Sequence, residues 1–208
     1  MYQTYIFDLD GTLLDTLEDL AEAVNVTLEY FNRPKRSIEE VKEFVGNGIV
    51  KLLDRSFGEK VESSVVEYFK KYYGAHCEDK TKPYDGVLDL LQELKVKGCQ
   101  LAIVSNKADF AVKQLSKKYF GEYIDVAIGE NEEGGVKKKP APDSVFLAMK
   151  ELNAFPESTV YIGDSDVDIQ TAKNAGLDCI CVAWGFRDEE FLKANGAERI
   201  IYTCKELL

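Results

Sequence analysis

Two stretches of this chain pair acidic residues: Asp8 and Asp10 in "YIFDLDGTLLDT", and Asp164 and Asp168 in "VYIGDSDVD". The first pair ends an apolar run. Side chains of a strand alternate faces, so Asp8 and Asp10 point the same way at its C-terminal tip, with Thr12 just beyond. Like charges held that close repel unless something positive lies between them. Asp-Gly is also ordinary turn chemistry, so the stretch alone admits a structural role as well as a chemical one. Further along, "LAIVSNK" offers Ser105 and Asn106, and "KKKPAPD" offers Lys139 beside two prolines that stiffen its backbone.

Carboxylates gathered without a histidine or thiolate partner suit a hard divalent cation, and magnesium is the usual one where waters and a phosphate complete the shell. Such an ion between Asp8 and Asp164 would relieve the repulsion. A lysine holds phosphate as a point charge and, with the metal, neutralises a transferring phosphoryl group. A carboxylate can attack phosphorus to give an aspartyl-phosphate. A second acid can protonate the leaving oxygen and later deprotonate water. Each piece also has a plainer reading. Asp164 and Asp168 fit a strand-end turn and a helix N-cap, Lys137 to Lys139 a solvated charge run, and Ser105 and Asn106 helix caps.

These residues meet only if the fold carries them to one place. Strand-like runs "CQLAIVS", "YIDVAIG", "TVYIGD", "DCICVAW" and "RIIY" alternate with helical patterns near 87–97, 108–119, 143–153, 166–175 and 188–195. Strands buried on both faces and separated by helices predict a parallel sheet with crossover connections. Such a sheet places its ligand site at the C-terminal strand ends, where each residue named above falls. The stretch 16–80 is different. Leu17, Leu20, Ala21, Val24, Leu28 and Phe31 recur at helical spacing, and three further apolar faces follow, through Val41–Val45, Ile49–Phe57 and Val65–Tyr73. Thr16 with Asp19 and Ser37 with Glu40 read as helix N-caps. The opening strand needs the later sheet as its partner, so this small helical bundle is an insertion. The expected division is a core of 1–15 with 81–208 and an inserted helical domain of 16–80.

The chain has 208 residues, 45% hydrophobic and 30% charged, enough to bury a substantial core. With 37 acidic against 26 basic residues the formal net charge is -11. That excludes a general attraction to nucleic acid or anionic membrane, while a local cation site can still hold an anionic metabolite. No apolar run is long enough for a bilayer and no signal peptide is read, so a cytoplasmic monomer or homodimer is expected. Cys77, Cys99, Cys179, Cys181 and Cys204 lack a framework spacing, and Cys179 and Cys181 read as small buried hydrophobes rather than metal ligands. The single histidine, His76, reads as a loop residue near a hinge.

The ordered set "DLDGT", "SN", "KPAPD" and "GDSDVD" resembles the haloacid dehalogenase superfamily of phosphohydrolases over essentially the whole chain. The resemblance implies a three-layer, Rossmann-like α/β core with an inserted helical cap. It implies Asp8 as nucleophile, Asp10 as general acid/base, Ser105 as the phosphate-binding hydroxyl and Lys139 as the lysine. Asp164 matches the metal ligand and Asp168 the second acidic position near a magnesium ion, which also takes the backbone carbonyl of Asp10. Thr12 and Asn106 stand beside them as substrate-binding candidates. Within the superfamily, "FDLDGTLLDTLEDL", "VGNGIVKLL" and "KPAPD" are most similar to phosphoglycolate phosphatases. In "VGNG", Gly46 and Gly48 open a predicted helix whose free N–H groups could meet a substrate carboxylate, with Lys51 one turn on; a plain helix–helix turn reads equally well.

Rival functions remain. The superfamily's dehalogenases lack the second acid, which Asp10 supplies here. Its sugar-phosphate mutases, such as β-phosphoglucomutase, usually carry a histidine near the start of the cap, where this chain has "TLEDLAEAV". A phosphometabolite-binding protein without turnover would typically have lost an acid or the lysine. The expectation is a magnesium-dependent phosphatase for a small phosphate monoester, 2-phosphoglycolate first. Pyrophosphate, sugar phosphates and nucleotides are the alternatives.

Overall fold

The computed structural model describes residues 2–131 and 134–208. Met1, where the expected core segment begins, and Glu132 and Glu133 lie outside the described residues. A six-stranded sheet runs in the order β5-β4-β1-β6-β7-β8. Its strands are β1 (Thr4–Phe7), β4 (Gln100–Ala108), β5 (Val126–Glu130), β6 (Thr159–Gly163), β7 (Asp178–Val182) and β8 (Arg199–Ile201). Every neighbouring pair is parallel. The expected α/β architecture is the one observed.

Burial of both faces follows from the alternation within β1. Tyr5 and Phe7 belong to one apolar cluster with Leu101, Ile103, Val160 and Ile162. Ile6 faces the other way, with Ala102, Val104 and Tyr161. Helices α5 (Val87–Val96) and α6 (Asp109–Phe120) cover the first face through residues such as Leu90, Leu91 and Leu115. Helices α7 (Asp143–Leu152) and α8 (Asp166–Ala175) cover the second through Val145, Ala148 and Ala172. Full burial of a Leu or Val side chain contributes about 1.5–3 kcal/mol, so the two interfaces hold the sheet rigid beneath the site.

The helical insertion consists of α1 (Leu17–Tyr30), α2 (Ile38–Phe44), α3 (Ile49–Phe57) and α4 (Ser63–His76). Leu28, Val41, Leu53 and Phe69 meet at its centre, in one apolar cluster with the first sheet face. The chain enters and leaves the insertion through a short antiparallel pair, β2 (Leu14–Asp15) with β3 (Lys82–Pro83). Ser37 and Glu40 form the reciprocal capping box expected of them. Thr16 stands at the N-cap of α1 with Asp19 in the first turn, as expected, but its side chain makes no capping hydrogen bond. The Thr16 hydroxyl donates to Asp10 Oδ1 at 2.7 Å, and the buried Asp19 carboxylate accepts from the backbone N–H of Lys80 and Thr81 and from the Thr81 hydroxyl. A carboxylate near two strands of linker finds more donors there than at its own helix end. His76 is likewise not in a loop: it closes the last turn of α4, exposed, with Nδ1 2.8 Å from Asp79. Among the described residues no helix is long and apolar enough to cross a membrane.

Candidate active site

β1 lies between β4 and β6, with Phe7 level with Ile103 and Ile162. The residues just past those positions therefore arrive side by side: Asp8 and Asp10, then Ser105 to Lys107, then Asp164. After Asp8 the chain must turn at once, and Gly11 takes φ +84° to do so. It also passes so close to the next strand end that a Cβ there would stand 2.3 Å from Asp164 Oδ2. "DLDGT" thus needs glycine for both conformation and proximity.

Asp8, Asp164 and Asp168 are buried, and each offers an oxygen within 4.8 Å of the others. Lys139 Nζ lies 2.9 Å from Asp8 Oδ1 and 2.7 Å from Asp168 Oδ1. The contact to Asp8 is a charge contact without hydrogen-bond geometry, and this buried oxygen receives no hydrogen bond. Burial, then the negative charges of Asp168 and Asp10, push the Asp8 carboxyl up to about 7 against the pull of Lys139. Asp164 is also held well above the usual carboxylate range, by burial first and by Asp168 and Asp8 next. Burial alone would lower Lys139, but Asp168 and Asp8 outweigh it and keep the ammonium charged. One lysine cannot neutralise all of these carboxylates at once, in keeping with the tight hold of Asp8 and Asp164 on their protons.

Asp168 is filled by donors. Its Oδ1 takes Lys139 and, at 3.1 Å, the Tyr161 hydroxyl. Its Oδ2 takes the backbone N–H of Asp164 and Ser165 and the Ser165 hydroxyl. Asp164 Oδ2 accepts from the Phe186 N–H at 2.7 Å, and Thr12 Oγ1 faces its other oxygen at 3.5 Å. Thr12 therefore points at a carboxylate rather than into the cavity. Asn106 brackets the lysine loop: its Oδ1 accepts from Lys139 N–H at 2.8 Å, and its Nδ2 donates to the carbonyls of Lys139 and, across in the insertion, Gly46. Ser105 is buried and lines the cavity.

The insertion sits over these strand ends, and a partly open cavity lies between the two. Its floor carries Asp8, Asp10, Ser105, Lys139 and Asp164, and its roof carries Leu20, Val45, Ile49, Leu52 and the glycines Gly46 and Gly48. Gly48 is the N-cap of α3. Lys51, one turn on, is exposed and does not line the cavity. Cys181 is buried and Cys179 half-buried, both as free thiols, and Cys179 packs against the second apolar cluster.

Two site residues escape a sequence reading. Lys107 is 6% exposed and holds Asp10 Oδ1 at 2.8 Å. It is the last residue but one of the buried run "LAIVSNKA", and a lysine at the end of an otherwise uncharged run is the one sequence signal for it. Arg187 donates to the carbonyls of Lys42, Glu43 and Val45, the free C-terminal end of α2. Nothing local marks it, because its partners stand more than 140 residues away.

The sequence and the fold are similar to those of known proteins. The profile of the haloacid dehalogenase-like hydrolases matches residues 5–182. The phosphoglycolate phosphatase of Aquifex aeolicus is 35% identical over 87% of this chain and 84% of its own length. Phosphoglycolate phosphatase 1 of Pseudomonas aeruginosa is 31% identical over 98% of this chain and 77% of its own. A crystal structure from Lactobacillus delbrueckii subsp. bulgaricus, 38% identical, superposes with TM-score 0.90 over 99% of this chain and 96% of that one. CbbY of Rhodobacter sphaeroides, solved in complex with phosphate, superposes with TM-score 0.83 at 28% identity over 100% of this chain and 96% of that one. The chain belongs to the haloacid dehalogenase-like hydrolase family and is one of its phosphatases.

Proposed function

We propose that this phosphatase is magnesium-dependent, hydrolyses 2-phosphoglycolate, and works through an aspartyl-phosphate on Asp8. The observation that carries the reading is Asp8 itself: a buried carboxylate on the cavity floor, pressed by like charges, with an oxygen that receives no hydrogen bond. The residues fit a hard cation, since oxygen donors of buried carboxylates converge within 4.8 Å and a single lysine is set among them. Asp8, Asp164 and the Asp10 carbonyl would hold the magnesium, with Asp168 as the acidic neighbour behind them. When bound, it supplies positive charge between the carboxylates and against the phosphoryl oxygens.

The protein's own groups do the rest. Ser105 and Lys139 hold the phosphoryl oxygens. Asp8 attacks phosphorus, the bond from phosphorus to the ester oxygen breaks, and that oxygen leaves with the electron pair and the proton of Asp10. Asp10 then takes a proton from water as the water oxygen attacks phosphorus, and Asp8 departs as carboxylate with phosphate released. Residues 16–80 act as a mobile cap on a core of 1–15 and 81–208, excluding bulk water when seated. The backbone N–H groups following Gly46 and Gly48, at the start of α3, meet the substrate carboxylate.

The cleft between the insertion and the strand ends places apolar side chains opposite the carboxylates and Lys139. The apolar roof of Leu20, Val45, Ile49 and Leu52 supports a second reading, a small ester with an uncharged leaving group. The test is phosphate release from 2-phosphoglycolate, pyrophosphate, sugar phosphates and nucleoside monophosphates, with and without magnesium. Magnesium-dependent preference for 2-phosphoglycolate, abolished in Asp8→Asn, is the expected result. Preference for an uncharged small ester selects the second reading, and full turnover by Asp8→Asn overturns the mechanism.

A further inference from the structure

The mechanism just given leaves Lys107 without a task, although it is among the costliest residues in the molecule to place there. Burying an ammonium demands compensation by charge and hydrogen bonds. Its Nζ finds both: Asp10 Oδ1 at 2.8 Å and the hydroxyl of Tyr73. The pairing holds Lys107 charged despite its burial. Tyr73 is 2% exposed and belongs to α4, within the helical insertion, whereas Lys107 ends a strand of the sheet. Lys107 also lies on the cavity wall.

The position of its contact on Asp10 matters. Thr16 and Lys107 both donate to Oδ1, the first from the start of the insertion and the second from β4. A carboxyl pinned through one oxygen by two donors presents the other, Oδ2, to whatever occupies the cavity. We infer that Lys107, set in place by Tyr73, is a positioning residue that aims the Oδ2 of Asp10 at the ester oxygen of the substrate. Its fixed charge stands beside Asp10 as the acid gives up its proton and becomes a carboxylate. Because Tyr73 comes from the insertion, the aim is complete only when the insertion is seated. A misplacement of this kind costs a proton transfer more than it costs binding.

The inference rests on the proposed phosphatase mechanism, and the experiment separates the two. kcat/KM is measured for wild type, Lys107→Met, Lys107→Arg and Tyr73→Phe on three substrates: 2-phosphoglycolate, glycerol 2-phosphate and acetyl phosphate. The first two release an alkoxide that must be protonated as it leaves, while acetate departs from acetyl phosphate without a proton. Lys107→Met is expected to lose roughly 10²-fold on both alkyl esters and far less on acetyl phosphate. Lys107→Arg restores part of the loss. Tyr73→Phe, which keeps the buried ring, shows the same substrate contrast at smaller size and carries the test if Lys107→Met does not fold.

Equal losses on all three substrates would make Lys107 a structural residue and overturn the inference. A rise in KM confined to 2-phosphoglycolate would overturn it too, making Lys107 a ligand of the substrate carboxylate. Failure of the underlying mechanism looks different: the wild type itself would release no phosphate from any of the three.

Discussion

Asp8 and Asp168 are both buried carboxylates beside Lys139, yet their surroundings predict opposite responses to the same substitution. Asp168 receives five donors, including the ammonium and the loop N–H groups of Asp164 and Ser165. Asp168→Asn turns one acceptor into a donor among donors and leaves Lys139 short of a partner. Breaking a buried pair this way costs about 3–5 kcal/mol, and a lower urea midpoint together with lost turnover is expected. Asp8 has the reverse problem, since burial and like charges already disfavour its ionised form. Asp8→Asn is therefore expected to abolish phosphate release while raising the metal-free urea midpoint near pH 8. An unchanged or lower midpoint would show that Lys139 fully compensates the Asp8 charge.

At the scale of elements, insertion and core are joined by a shared apolar cluster and by polar side chains, some of which reach for backbone. Arg187 extends from the loop after β7 and takes the carbonyls that α2 leaves unpaired at its C-terminus, where a cation is favoured. Hydrogen bonds from a charged donor contribute about 1.5–3 kcal/mol. Arg187 touches neither the carboxylates nor Lys139, so Arg187→Met is expected to raise KM about tenfold, the equivalent of about 1.4 kcal/mol. kcat should change much less, with faster amide exchange from Val45 to Ile49. A fall in kcat alone would place Arg187 in the chemistry instead.

The strands of the six-stranded sheet and the helices were legible because each has one dominant signal, whereas the two-residue strands β2 and β3 were not expected. β1, β4, β6 and β7 are short apolar runs between turn residues, and α1 to α4 keep helical spacing. That Asp8, Ser105 and Asp164 come side by side was legible because a parallel sheet gathers its C-terminal ends, and Lys139 joins them from the loop before α7. What escaped depends on who the distant partner is. Thr16 is the N-cap of α1 as expected, but that its hydroxyl serves Asp10 and the Asp19 carboxylate serves Thr81 depends on partners brought in by the fold. Lys107 is a lysine at the end of an apolar run, and nothing near it in sequence shows that Tyr73 and Asp10 close over it. Arg187 has no local signature at all, because it serves carbonyls of another element.

Across the whole molecule a net charge of -11 adds a diffuse repulsion, which salt screens beyond about 8 Å at physiological ionic strength. The carboxylates of the site, within 4.8 Å of one another and buried, escape that screening. The folded protein therefore holds a proton on Asp8 up to about pH 7, whereas the unfolded chain releases it near the ordinary 3.8. Between those values the folded state binds more protons, so the metal-free stability contributed here falls as pH rises from about 4 to about 7. A dication bound by the same oxygens replaces the proton, so its stabilising effect grows over the same interval. Magnesium is expected to raise Tm more at pH 8 than at pH 6, with about 2–4 °C for each kcal/mol in a chain of this length. The variant Asp8→Asn should lose most of that difference while keeping the diffuse charge of the rest of the surface. If wild type and variant gain equally from magnesium at both pH values, the ion acts on the surface charge and Asp8 does not hold it.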